Sequence, residues 1–521
     1  KELISLIVFL RPLGLRLPAA ALPQAGAATA LVGRAVPDDY YTLWYRSDRC
    51  GADLRHDYYY SDSLFDHPAT EYDNQLALAT LGMAAAADCP WESDQRYWME
   101  GEVGRADHIR DAFAKLGFTE VQLFNYTHSL NDTPDTVGCA IARKTLVRGG
   151  RQVTIIGAFL RGSGYGAEWS GNLHAGPGSA HVGFVTATRQ LVEKIRAYIQ
   201  TSAKRQPLGT LKLWMGGYSR GGGVANLVAA RLPAVLPQLE KKNTYVYTFA
   251  APASLTAADC PDLQQDFDNN HAADGSLKKN WGTSNIFNIV SSGDVIPRIL
   301  PAEWGFYRNG NDRFLPSTVI PEELQALNDR STRMEGTPID FGRLAVTEEV
   351  DAVLRSMMDL FCDRQTYYED YEDAMRCMLQ CATTRTEEEV TRGIVRDDAA
   401  VVAQLRSMEL MQRFPQEKLE RCVQAASALS RPVLEKLGSA VPLQAQQIVI
   451  PMLAVGLCFE LQPETVQLVA DFVLSTITVE GQLSGILKTV LCHFQENYIT
   501  VLEAYDPADH GMTPYTRREE L

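Results

Sequence analysis

The clearest chemical signature is a serine flanked by glycines at residues 217–221, which read GYSRG. An apolar run, LKLWMGG (211–217), precedes it, and a helical pattern, GGVANLVAARL (222–232), follows it. Glycines at a tight strand-to-helix turn let neighbouring backbone approach closely, which exposes the serine hydroxyl. The start of the helix adds N–H groups where negative charge develops during acyl transfer. We predict that Ser219 is a nucleophile; the alternative is a chance glycine-rich turn.

A serine nucleophile needs a base, and the base needs a carboxylate that orients it. Asp294 follows an apolar run at 285–292, where acids at strand ends face a common sheet edge; its alternative role is capping a turn. Only two histidines follow it, His493 and His510. His493 adjoins a helical pattern, whereas His510 lies in a polar tail. We predict that His493 is the base, with His510 as the alternative.

Acyl transfer also needs donors for the oxyanion. One is the backbone N–H of Arg220, the residue after the nucleophile. The second is expected from the loop after an earlier strand, and Ser163 in RGSG (161–164) has the right place. Its backbone N–H, together with its hydroxyl, is our candidate. The alternative is that Gly162 and Gly164 only permit a turn.

Strand and helix patterns alternate around these residues. Predicted strands lie at 121–126, 139–146, 152–160, 211–217, 244–252 and 285–292, and predicted helices at 75–87, 106–118, from 181, and at 222–232. Near-continuous apolar strands that alternate with helices favour an α/β fold, with a mostly parallel sheet covered by helices on both faces. From about 316 to 490 helical periodicity replaces the strand pattern.

Composition excludes several classes of protein. The chain has 521 residues, 49 Lys and Arg against 64 Asp and Glu, and a net charge of −15, which argues against a nucleic-acid partner. The most apolar stretch, 448–459, is shorter than the ~20 residues of a membrane-spanning helix, and we expect a buried helix there. The ten cysteines show no C-x-x-C pair and no zinc spacing. We expect buried free thiols, while disulfides stay open, and we predict no metal and no cofactor.

Three regions are expected. Residues 1–35 are a leader or disordered segment, whose apolar run LISLIVFL resembles the end of a secretory signal. Residues 36–315 and 491–521 form the α/β core with an N-terminal helical extension, and residues 316–490 form a helical cap inserted into it. Cytoplasmic and secreted locations both stay open.

Several motifs together resemble the class 3 lipase family of α/β-hydrolases, especially its bacterial lipase-like members. In chain order they are AFLRGSGYGAEW (158–169), HVGF (181–184), GYSRGGGVANLVAA from 217, YTFAAP (247–252), NIVSSGDVIPRILP (288–301) with GFYRNG (305–310), and HFQENY (493–498). Tyr218 stands where the family more commonly has histidine. The resemblance implies an α/β-hydrolase fold with Ser219, Asp294 and His493 as the triad and Ser163 at the oxyanion position. It gives His181 and Trp169 framing roles.

The function implied is a serine hydrolase that cleaves carboxylic esters, of a lipid or acylglycerol, through an acyl-enzyme. The expected partner is a small ester or lipid, with transient contact at a lipid interface and no integral membrane segment. Three alternatives stay open: an acyltransferase or peptidase on the same triad, a non-catalytic hydrolase-like binding protein, and an interaction scaffold built on the helical region. The oligomeric state is not determined.

Overall fold

The computed structural model of this chain describes residues 39–47, 52–88, 101–102, 106–128, 135–163, 168, 172, 181–256, 283–291, 294, 296–298, 306–315, 370–383, 396–437, 443–460 and 493–504. The predicted leader at 1–35, His510 and Trp169 lie outside these ranges, as do both ends of the predicted insertion at 316–490.

The described residues contain nine strands of five or more residues: β1 (Tyr40–Ser47), β2 (Ala52–Tyr59), β3 (Thr119–Phe124), β4 (Cys139–Arg148), β5 (Arg151–Leu160), β6 (Thr210–Tyr218), β7 (Thr244–Phe249), β8 (Ile286–Ser291) and β9 (Asn311–Leu315). Strands β3 to β9 make one seven-stranded sheet whose spatial order follows the chain order. The four pairs from β5 to β9 are parallel, and the two pairs from β3 to β5 are antiparallel. Two short pairs of two residues each, Gly101–Glu102 with Thr127–His128 and Leu255–Thr256 with Phe306–Tyr307, lie apart from this sheet.

Nine α-helices are described: α1 (Asn74–Ala87), α2 (Ala106–Lys115), α3 (Val182–Arg205), α4 (Arg220–Val235), α5 (Asp370–Thr383), α6 (Asp398–Ser407), α7 (Gln416–Leu437), α8 (Leu443–Cys458) and α9 (Gln495–Ala504). Single 3₁₀ turns occur at Asp62–Phe65, Lys241–Asn243, Ile296–Arg298 and Glu409–Arg413. None of these helices is long and apolar enough to cross a membrane.

Both faces of the sheet are buried, as β6 illustrates. Trp214 points into a cluster with α1, α2 and α9, while its neighbours Leu213 and Met215 point into a second cluster with α3 and α4. Side chains alternate between the faces of a strand, so a strand that is apolar on both sides needs cover on both sides. The predicted mostly parallel sheet with helices on both faces is confirmed.

The N-terminal part contains a hairpin that the sequence did not predict. β1 and β2 pair antiparallel over their whole length, and Leu43, Tyr45 and Tyr58 are buried against the core. The Tyr-rich segment at 57–65 conceals the two-residue alternation of a strand, because a tyrosine suits either a buried or an exposed position. The predicted N-terminal helices are present as α1 and α2.

Helices α5 to α8 pack on one another. Leu405, Leu419, Val423 and Val455 are buried among them, at the helical spacing the sequence shows. The apolar stretch around Pro451 belongs to α8, so the prediction of a buried helix there is confirmed.

Candidate functional site

The sharp turn between β6 and α4 presents Ser219. This residue has φ 53° and ψ −124°, a conformation that side chains rarely adopt, and its N–H donates to the carbonyl of Phe249 on β7 at 2.9 Å. The flanking glycines make the turn possible. A Cβ on Gly217 would lie 2.4 Å from the carbonyl oxygen of Gly221, and one on Gly221 would lie 2.4 Å from that of Arg161.

The structure brings three predicted residues together at this turn. His493 Nε2 lies 2.9 Å from Ser219 Oγ, and His493 Nδ1 lies 2.8 Å from Asp294 Oδ2. Because the carboxylate accepts the Nδ1 proton, Nε2 is the nitrogen that accepts from the serine hydroxyl. This is the hydrogen-bonding order of a nucleophile, its base and an orienting acid.

Asp294 is fully buried, and donors surround its carboxylate. Oδ1 accepts from the backbone N–H of Ile296 at 2.9 Å, while Oδ2 accepts from the Tyr498 hydroxyl at 2.7 Å as well as from His493. Tyr498 in turn accepts from the N–H of Ser291 at 3.0 Å. Burial, and then the nearby charge of Asp294, raise the pKa of Tyr498 well above its usual value, so its hydroxyl stays a donor.

His493 is held from its backbone as well as from its ring. The Tyr218 hydroxyl donates to the carbonyl of His493, and the two rings lie 5.4 Å apart. The imidazole is 13% exposed, which leaves it reachable by a substrate. Tyr218, the departure from the family pattern, thus anchors the segment that carries the base.

The loop after β5 carries Ser163, the second oxyanion candidate. The Arg161 guanidinium donates to the carbonyl of Gly162 at 3.0 Å and pairs with the buried carboxylate of Glu168 at 2.5 Å. The Gly162 carbonyl belongs to the peptide whose N–H is that of Ser163. A charged donor on this carbonyl fixes the peptide plane and polarises the N–H on its other side.

Asn172 connects the two oxyanion candidates. Its Nδ2 donates to Ser163 Oγ at 3.0 Å, and its Oδ1 accepts from Arg220 Nη1 at 2.7 Å. The Arg220 side chain is buried and also donates to the carbonyl of Thr136. The Ser163 hydroxyl therefore accepts a hydrogen bond within this network, and a hydroxyl that accepts can still donate its own proton.

His181 precedes α3 and contacts Asn172. Its Nε2 lies 2.8 Å from the carbonyl of Asn172, and its ring stacks on Phe184. Sequence reasoning missed Asn172, Tyr498, Asp88 and Gln495, whose contacts join segments far apart in the chain. Their residue types alone carry no signal, since a buried amide or phenol is common in any core.

The described residues include no group of three or more His, Cys, Asp or Glu side chains placed to hold a metal ion. The described cysteines are free, and four of the five are buried, as the sequence analysis expects.

Residues 162–304 match the family model described as "Lipase (class 3)". The matched segment contains Ser163, Ser219, Arg220 and Asp294, and His493 lies beyond it. The predicted resemblance is confirmed, and with it the prediction of a hydrolase of the lipase or esterase kind. No curated protein matches the chain.

Solved structures similar to this chain include fungal lipases. The Rhizomucor miehei lipase propeptide complex is 19% identical, with 46% of this chain and 68% of that chain covered and a TM-score of 0.31. Lipase II from Rhizopus niveus is 16% identical, with 46% and 80% covered and a TM-score of 0.30. The α/β-hydrolase fold assigned here rests on the observed sheet and the family match.

Proposed function

We propose that this protein hydrolyses carboxylic esters with an apolar acyl group, of the acylglycerol type, through an acyl-enzyme on Ser219. The observation that carries the proposal is the hydrogen-bonded chain from Ser219 Oγ through His493 to Asp294. The class 3 lipase match over 162–304 supports the ester substrate.

The proposed reaction gives each of these residues a role that its hydrogen bonds support. His493 Nε2 takes the proton of Ser219 as Oγ attacks the ester carbonyl, and Asp294 stabilises the imidazolium that forms. The N–H groups of Ser163 and Arg220 stabilise the oxyanion. His493 then protonates the departing alcohol. Water, activated by the same imidazole, attacks the acyl-enzyme and releases the acid.

The proposed helical cap is residues 316–490. β9 ends at Leu315 beside Ser291, at the carboxyl ends of the parallel strands, and Asp294 follows Ser291 at that edge. The chain is back at the same edge at His493. Because the insertion leaves and returns at this edge, we propose that it covers the site around Ser219. We assign residues 36–315 and 491–521 to the core on the same grounds.

A fluorophosphonate probe and a set of p-nitrophenyl esters of increasing chain length test the proposal. We expect covalent labelling at Ser219 and ester hydrolysis that favours medium or long acyl chains. Labelling with turnover of peptides alone would assign a peptidase, and acyl transfer to an added alcohol in preference to water would assign an acyltransferase. Absence of both labelling and turnover would leave a non-catalytic binding protein.

A further inference from the structure

A buried carboxylate outside the triad, Asp88, lies between the oxyanion loop and the histidine segment. It follows the last residue of α1 and is 8% exposed. Its Oδ1 accepts from the backbone N–H of Gly162 at 3.0 Å, and its Oδ2 accepts from Gln495 Nε2 at 2.6 Å. One side chain thus joins three segments that are far apart in sequence.

An aspartate in this position is costly for the fold. A negative charge at the C-terminal end of a helix opposes the helix dipole, and burial disfavours the charged form. The charge-assisted hydrogen bonds from Gly162 and Gln495 offset that cost, and both of these residues lie in segments of the candidate site. Stability of α1 alone does not account for a carboxylate here.

The first hydrogen bond acts on the oxyanion loop. Asp88 holds the N–H of Gly162, and Arg161 holds the carbonyl of the same residue. Fixing both groups fixes the peptide plane that presents the Ser163 N–H. The contact is tight, because a Cβ on Gly162 would lie 3.0 Å from Asp88 Oδ1.

The second hydrogen bond acts on the segment with the base. Gln495 is the first residue of α9, close after His493, and is 7% exposed. One turn later in the same helix Tyr498 contacts Asp294. The start of α9 is therefore held at two points, and a shift of this helix would move the His493 imidazole.

We propose that Asp88 is a positioning residue. Through Gly162 and Gln495 it fixes the position of the Ser163 oxyanion donor relative to the His493 base. This inference rests on the proposed function. A base and an oxyanion donor act on the same reacting centre, so a misplacement of about 1 Å between them costs on the order of 100-fold in rate.

The experiment measures kcat and KM on a p-nitrophenyl ester, the rate of fluorophosphonate labelling, and Tm for five variants. Asp88→Ala should lower kcat and the labelling rate on the order of 100-fold, with KM changed by less than about threefold. Asp88→Asn should stay within about tenfold of the wild type, because its amide keeps an acceptor for Gly162 and the Gln495 amide can rotate. Gln495→Ala should lower kcat about tenfold.

The double variant Asp88→Ala with Gln495→Ala should be no slower than Asp88→Ala alone, because Gln495 acts through Asp88. Asp73→Ala is the matched control: Asp73 caps the opposite end of α1 by accepting from Leu76 N–H at 2.7 Å. It should lower Tm by about 1–2 °C and leave kcat unchanged.

Additive losses in the double variant would overturn the inference, as would equal kcat for Asp88→Ala and Asp73→Ala. If Asp88→Ala does not fold, Gln495→Ala and Asp88→Asn decide: wild-type labelling rates in Gln495→Ala would overturn it. A wild type that neither labels nor turns over ester would instead refute the proposed function, so the two failures are distinct.

Discussion

The sheet edge and the helices α5 to α8 bury different kinds of side chain. At the sheet edge, polar groups from distant segments form hydrogen bonds around Ser219: Ser219 with His493, Tyr498 with Asp294, and Arg220 with Asn172. Among α5 to α8 the buried titratable groups are thiols. Burial raises the pKa of Cys377 to about 12, and it also raises the pKa of Cys381 and Cys458.

The ion pairs of the helical region lie toward its surface. Arg431 pairs with Asp398, and both side chains are at least 40% exposed. Protonated thiols in an apolar core are chemically inert, and exposed ion pairs contribute little to stability. Among the described residues, the candidate catalytic side chains lie where strands end, while helices α5 to α8 pack on one another.

The largest effect that tests this contrast is expected from Ser219→Ala. It should lower kcat on the order of 10⁶-fold, because it removes the nucleophile, and it should leave Tm nearly unchanged. Ester turnover together with thermal unfolding measures both. Retained activity would place the nucleophile elsewhere in the chain.

His493→Ala should lower kcat by several orders of magnitude, since Ser219 loses its base. The matched variant His510→Ala should change kcat little. Both are measured at saturating ester. The reverse result would transfer the role of base to His510.

Tyr498→Phe should lower kcat about tenfold, because Asp294 loses one donor and the phenol's hold on Ser291 is lost with it. The raised pKa of Tyr498 keeps its hydroxyl protonated through neutral and mildly alkaline pH. The alkaline side of the wild-type pH–rate profile therefore does not reflect the titration of Tyr498. The variant's pH–rate profile should therefore keep its alkaline limb. A profile that loses that limb would contradict this role.

Leu419→Ala should change catalysis least. Leu419 is fully buried in α7, and its truncation should cost about 2–5 kcal/mol of unfolding free energy in the helical region. Turnover per fluorophosphonate-labelled site should stay at the wild-type value. A fall in kcat per labelled site would show that the helical region takes part in the chemistry.

Local pattern was enough to predict much of the sheet. Strands β4 to β8 and helices α1 to α4 follow from apolar runs and helical spacing, because a residue's face in a strand or helix depends on its near neighbours. The β1–β2 hairpin was missed where tyrosines obscure that spacing. The strand β9 was missed as well, since NDRFL (311–315) has little apolar content.

The sequence by itself determined the turn at Ser219, since GYSRG between a strand and a helix is a local pattern. It also narrowed the base to two histidines and named a carboxylate for it. Only the tertiary structure decided that His493 lies between Ser219 and Asp294, and that Asp88, Asn172 and Tyr498 hold the parts together. The reason is physical. Hydrogen bonds between distant segments depend on how the chain returns to the sheet edge, and the spacing of residues within one segment does not predict that return.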